Sequence, residues 1–359
     1  MAISPPTKGA TEVDEPAPAR SNAAPFSLID VSEARPWKGS WFAVGAGWVL
    51  GAAILVGLVV FVLQFGDIEI FLKTLHKADP IWLAVGLGCQ FATYLCAAAV
   101  WSAVLRKAKS PLPLLSLLRL ALMELFANQA VPTGGLSGSL MVVRGLTRRG
   151  VAPPIAMTAL LIEAMSYYTA YFLVGLLAFV LFWHNGDLTT AWRSLFIAFI
   201  VALAASGTAL LIVWRVQGGL IPKRALQWRP FTKLATMLDQ VRGDLLRSPR
   251  LIVGAVAFQL AIFLLDTATL WCASRAIGLD LDIARTFTSF VLASVVATLS
   301  PIPLGLGAFE GSCTGLLHLL GGGLEASLAA TLILRGLTLW LPMLPGLWII
   351  RREIVITRT

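Results

Sequence analysis

The sequence predicts an all-α, polytopic integral membrane protein, and three observations predict it. Only 13% of the 359 residues are charged, against roughly 25% in soluble domains. Hydrophobic residues reach 57% and the mean hydropathy is +0.81. The apolar residues also gather in uncharged runs, long enough to cross about 30 Å of hydrocarbon as helix. Spanning backbone must pair its own N–H and C=O groups, and these runs lack period-two alternation, so they predict helices and not barrel strands. A disordered chain, a secreted disulfide scaffold and a nucleic-acid-binding domain each need a water-facing sequence and are excluded, and no nucleic-acid partner is expected.

Residues 1–40 differ from the rest. Their prolines, mixed charges and small residues predict a disordered cytoplasmic tail, retained because the following apolar run is too long and too far from the start for a signal peptide. A transmembrane, transporter-like domain is expected over 41–352, with a short cytoplasmic tail at 353–359. Its full spans are about six: 41–65, 81–105 and 194–214 without charge, 154–183 holding only Glu163, 251–274 only Asp266, and 326–350 only Arg335. Cys89, Cys96, Cys272 and Cys313 lie inside apolar stretches without metal-ligand spacing, so no metal and no cofactor are expected.

The bases mark the cytoplasmic side. Arg106, Lys107 and Lys109 follow the second span, and a loop at 215–250 carries eight bases against Asp239 and Asp244. Within it, Leu234, Met237, Leu238, Val241 and Leu245 recur at helical spacing, which predicts an amphipathic helix over 231–246 on the anionic leaflet. Arg351, Arg352 and Arg358 place the C-terminus inside as well. A multi-pass protein of a bacterial cytoplasmic membrane with both termini inside is the expectation.

Two stretches are not ordinary spans. Residues 112–146 are apolar but carry Arg119, Glu124 and Asn128, and are broken at Val131-Pro-Thr-Gly-Gly-Leu-Ser-Gly-Ser139; residues 284–320 are broken at Ser300-Pro-Ile-Pro-Leu-Gly-Leu-Gly-Ala-Phe-Glu310. Short arms around Pro and Gly predict re-entrant hairpins. Pro132 and Pro303 lie 171 residues apart, Gly150 and Gly322 as well as Glu163 and Arg335 lie 172 apart, and the charge count orients the two copies oppositely. An inverted repeat around broken helices points to a transporter with a central site.

The candidate substrate-binding and translocation residues follow. Glu163 and Arg335 each lie about 14 Å into their spans at 1.5 Å per residue, so they are expected to pair or to line one cavity. Glu124 and Asn128 share a helix face, and Asp266 is directed inward from mid-span, although it could instead cap a neighbouring hydroxyl. Arg119, near the cytoplasmic edge, could snorkel. Gly134, Gly135 and Gly138 leave backbone N–H groups unpaired at a helix start, Ser137 and Ser139 add hydroxyls, and Arg144 adds charge, which together would suit an anion. A tight helix–helix turn without ligand fits the same residues. Glu310 either carries a proton or meets outside water.

Three features together resemble one family: Asn128-x-x-x-Pro132 with glycines following, Ser300-Pro-x-Pro-x-Gly-Leu-Gly-x-x-Glu310, and Arg335 late in its span. The sequence resembles the membrane region of lysylphosphatidylglycerol synthases and their stand-alone flippase-like relatives, which include hopanoid-associated members, over residues 41–352. Many relatives have an acidic residue where this chain has Ser137 and Ser139. The resemblance implies a non-enzymatic protein that moves a phospholipid, hopanoid or polyprenyl-type amphiphile between leaflets, because in the long synthases a soluble domain performs the aminoacyl transfer, and none is expected here. A membrane lipid is thus the expected substrate, and the glycines Gly45, Gly47, Gly51 and Gly57 would allow a homo-oligomer. No Gly-Lys-Ser/Thr nucleotide loop is present. Two other classes stay open: an ion- or proton-coupled carrier of a small solute, and an intramembrane serine protease using Ser137 and His318.

Overall fold

The computed structural model describes residues 78–130, 136–184, 194, 197, 200–201, 241–300, 305–342 and 345, all within one compact unit, Val44–Thr359. The expected first span, the N-terminal tail, nearly all of 194–214 and most of the basic loop lie outside these residues. Among the described residues the chain is helical and contains no strand. The helices are α1 (Pro80–Lys107), α2 (Leu114–Ala130), α3 (Leu136–Arg148), α4 (Pro153–His184), α5 (Gly243–Leu246), α6 (Pro249–Ala276), α7 (Ile283–Leu299), α8 (Ala308–Leu319) and α9 (Leu324–Arg335). Three of them, α1, α4 and α6, are long and apolar enough to cross a membrane.

Local chemistry sets the boundaries. Pro80 and Pro249 occupy the first turns of α1 and α6, where a missing N–H costs nothing. Asp79 caps α1 through the Ile81 amide at 2.8 Å, and Asp282 caps α7 through the Arg285 amide at 2.7 Å. Gly150 (φ +84°) and Gly321 (φ +112°) take left-handed conformations just ahead of α4 and α9.

Helix lengths recur in order. α1 and α6 have 28 residues each, α2 and α7 have 17 each, and α3 and α8 have 13 and 12. The first two of each set begin 169 residues apart, from 80 to 249 and from 114 to 283. α2 packs along α3, and α7 along α8. α1 and α6 form the closest pair and run antiparallel: the Asp79 amide donates to the Ala276 carbonyl at 2.7 Å, Trp82 meets Trp271 edge-on at 5.4 Å between ring centres, and the Thr269 hydroxyl reaches the Gly86 carbonyl at 3.5 Å.

The buried apolar residues form two cores. One gathers the C-terminal half of α4 with α7, α8, α9 and the later part of α6, around Phe179, Leu270, Phe290 and Leu316. The other gathers α1, α2, α3 and α5 with the starts of α4 and α6, around Trp101, Leu117, Leu146 and Ile162. Both cores therefore share α4 and α6, one toward each end.

Two expectations need correction here. The amphipathic helix over 231–246 is interrupted, because Arg242 is extended and only Gly243–Leu246 is helical among its described residues. Leu245 and Leu246 are buried in the second core instead of facing lipid, and the Arg242 amide donates to Thr158 Oγ1 at 3.0 Å, which ties the loop to α4. Beside it, the exposed Arg242 holds the Asp244 carboxyl below its ordinary range through a 2.6 Å ion pair. The late apolar run is also no uniform helix: after α9 the backbone passes into a π-helical turn, Gly336–Trp340. Such turns recur at functional sites.

At the second break, Gly305 has φ +60°, and a Cβ there would lie 2.5 Å from the Ala297 Cβ and 3.1 Å from its Cα. Gly305→Ala is expected to destabilise by about 1–3 kcal/mol, from backbone strain plus overpacking against α7. A denaturation midpoint in detergent unchanged from wild type would contradict this.

Candidate functional site

A cavity of about 870 Å³ opens between the two cores, at the middle of α4 and α6. Glu124 and Asn128 from α2, Ser139 from α3, Glu163, Tyr167, Tyr168 and Tyr171 from α4, Gln259 and Asp266 from α6 and Arg335 from α9 all line it, together with Gln90, Thr93 and Tyr94 from α1. The three cavity carboxylates and one guanidinium come from four different helices. Polar groups at this depth are costly against hydrocarbon, about 2.5–3.5 kcal/mol per charge on insertion scales, and they converge on one space away from lipid.

Glu163 and Arg335 each have a close polar neighbour. The Trp101 indole N–H donates to Glu163 Oε2 at 2.6 Å, and Trp101 itself is fully buried. Arg335 Nε lies 2.7 Å from Glu310 Oε1, and its guanidinium stacks over the Phe309 ring at 4.2 Å. Glu310 Oε2 accepts the Gly307 N–H at 2.6 Å, so this carboxylate holds the broken segment and the arginine at once. Of the lining tyrosines, Tyr171 stacks on Tyr167 (5.9 Å between ring centres) and on the buried Phe263 (5.4 Å, 3° between planes). The Tyr171 hydroxyl shares a 3.0 Å hydrogen bond with Thr298.

The structure places the expected residues as follows. Glu163 and Arg335 line one cavity, which is one of the two expected arrangements; Glu163 is hydrogen-bonded by Trp101 and Arg335 is paired with Glu310. Glu310 does not meet outside water, for it is 1% exposed and engaged by Gly307 and Arg335. The Gly138 amide is not an open anion donor: Asn128 Oδ1 accepts it at 2.9 Å, so α2 caps the start of α3. A Cβ at Gly138 would sit 2.5 Å from that amide group, which accounts for glycine there. Arg144 is exposed and does not line the cavity, and Arg119 is exposed too, as snorkelling requires. Gly134, Gly135 and the Ser137 side chain lie outside the described residues. His318 is exposed at the end of α8, its Nδ1 2.8 Å from the Gly322 carbonyl, and does not line the cavity. Among the described residues no cluster of three or more His, Cys, Asp or Glu is arranged for a metal ion.

Sequence reasoning missed Gln90, Gln259 and Trp101. The two glutamines had a readable signal: each is the one carboxamide in its apolar run, and they stand at the 169-residue offset of the helices that carry them. Lining positions recur along α4 and along α9 with the π-helical turn that follows it, Glu163, Ala164, Tyr167 and Tyr168 against Leu334, Arg335, Thr338 and Leu339, at an offset of 171.

No curated protein sequence matches the chain. The family model for the lysylphosphatidylglycerol synthase TM region matches residues 48–346, which include every described helix, and the chain belongs to that family.

Proposed function

We propose that the protein is a lipid translocase that moves a phospholipid, hopanoid or polyprenyl-type amphiphile between leaflets by alternating access, without modifying it. The observation that carries this reading is the polar cavity at mid-length of long apolar helices, flanked on both sides by apolar packing. A headgroup needs a polar path of that kind while its tails stay in hydrocarbon. The matched helix lengths and the antiparallel α1–α6 pair support an inverted repeat, in which each half would close one mouth of the cavity in turn. The hairpins α2–α3 and α7–α8 would be the re-entrant arms. The family's name includes a synthase; the reading assigns transport to this membrane region because the carboxylates, carboxamides and hydroxyls of the described lining match the polar contacts a headgroup needs. A bacterial cytoplasmic membrane, with the basic loop and both termini inside, belongs to the same reading.

The test is lipid movement in proteoliposomes, read as the fraction of fluorescent lipid protected from a membrane-impermeant quencher. Wild type is expected to deplete the protected pool faster than protein-free liposomes. Glu163→Gln and Glu124→Gln should each slow the movement by about tenfold or more, the cost of one lost polar contact of roughly 1.4 kcal/mol in the rate-limiting state. Wild-type rates equal to those of protein-free liposomes would overturn the reading. Solute flux through the same vesicles without lipid movement would favour a small-solute carrier, which the polar cavity could also serve.

A further inference from the structure

We propose that Asp266 and Gln90 form a binding site for a monovalent cation, a proton or sodium, in the wall of the cavity. The charge balance is the starting point. The described lining holds three carboxylates, Glu124, Glu163 and Asp266, against one guanidinium, and that guanidinium is already paired with Glu310. Trp101 gives Glu163 a neutral donor, which stabilises the anion without cancelling its charge. A cavity that opens to each leaflet in turn must be tolerable when empty as well as when loaded, so the compensating charge has to be small and available from solution.

The position follows from an unpartnered group. Gln90 is 5% exposed and borders the cavity; its amide nitrogen reaches Thr93 Oγ1 at 3.2 Å and the Tyr94 hydroxyl at 3.5 Å, while its carbonyl oxygen is buried with no hydrogen-bond partner. Leaving such an acceptor unsatisfied costs about 1–3 kcal/mol. The antiparallel register that sets Gly86 against Thr269 brings Gln90, one turn further along α1, level with Asp266 on α6; both line the cavity, and Asp266 makes no ion pair among the described residues. Asp266 from α6 and Gln90, Thr93 and Tyr94 from α1 line the same cavity, and hard oxygen donors of these kinds suit small hard cations. A cation held between Asp266 and Gln90 would supply both the missing charge and the missing partner. The charged and titratable groups that share the cavity with Asp266 are Tyr94 on α1, Glu124 on α2, Glu163, Tyr167, Tyr168 and Tyr171 on α4, and Arg335 on α9, which is paired with Glu310 on α8.

Coupling of this cation to lipid movement rests on the translocase reading; binding does not. Binding is therefore measured first, on the full-length purified protein in lipid nanodiscs, as the thermal midpoint during exchange of choline chloride for sodium chloride at constant ionic strength, repeated across pH. A saturable rise with sodium assigns sodium. A pH-dependent midpoint insensitive to sodium, and flattened in Asp266→Asn, assigns the proton. Asp266→Asn and Gln90→Leu should weaken the response about tenfold or more, the scale seen when a ligand or its support is removed, whereas Asp266→Glu should retain it and the exposed Arg119→Gln should match wild type. A wild-type midpoint indifferent to both ions, or Asp266→Asn responding as wild type does, would overturn the proposal. Lipid movement that proceeds while the midpoint ignores both ions would sink the cation site and leave the translocase standing.

Discussion

Glu310→Ala is expected to lower stability by about 3–5 kcal/mol, the scale for removing one partner of a buried ion pair. Glu310 is 1% exposed and its two oxygens serve two groups, Arg335 Nε at 2.7 Å and the Gly307 amide at 2.6 Å. Its loss leaves a guanidinium inside the bundle without its counter-charge and an amide at the start of α8 without its acceptor. Arg335→Met should cost a similar amount, by leaving the carboxylate alone. The double variant should be less damaged than the two single effects added, because neither residual charge remains. A double-mutant cycle on denaturation midpoints in detergent reads this coupling, expected at about 1–3 kcal/mol for groups in contact. Strict additivity would mean that the pair contributes nothing as a pair.

Trp101→Ala should be comparably severe. The indole is fully buried in the core built from α1, α2 and α4, and truncation of a core Phe or Trp to Ala costs about 3–5 kcal/mol. Trp101→Phe separates the two roles. It keeps most of the volume and removes the 2.6 Å donation to Glu163, a bond to a charged group worth about 1.5–3 kcal/mol. The expected result is a moderate loss of stability with a larger loss of lipid movement, since Glu163 then faces the cavity without the group that orients it. Stability and movement falling in step would make Trp101 a packing residue only.

Much of this was legible in the sequence because the bilayer restricts what a chain can do. Runs at 81–105, 154–183 and 251–274 became helices within a residue or a few of their expected bounds, since only continuous apolar helix satisfies both backbone and lipid. The convergence of Glu124, Asn128, Glu163, Asp266 and Arg335 was legible for the same reason: intramembrane charges avoid hydrocarbon. Pairing was not legible. Depth along a span located Arg335 but not its azimuth, and Glu310 sat at the edge of a Pro/Gly break whose return path only coordinates reveal. Trp101 carried no signal, because an aromatic in an apolar run reads as packing. Leu245 failed differently: its spacing on a helical wheel is the same whether the apolar face meets lipid or protein, so only the neighbouring helices decide.

Among the described residues the two apolar cores share α4 and α6, and between them lies the cavity with its polar side chains. Close-packed side chains resist sliding, whereas an open polar seam resists it little. Relative displacement of the halves should therefore concentrate at mid-bundle, leaving each interior intact, and the π-helical turn after Arg335 lies on that seam through Thr338 and Leu339. Stiffness at both ends with compliance halfway is the mechanical condition for opening one mouth while the other stays shut.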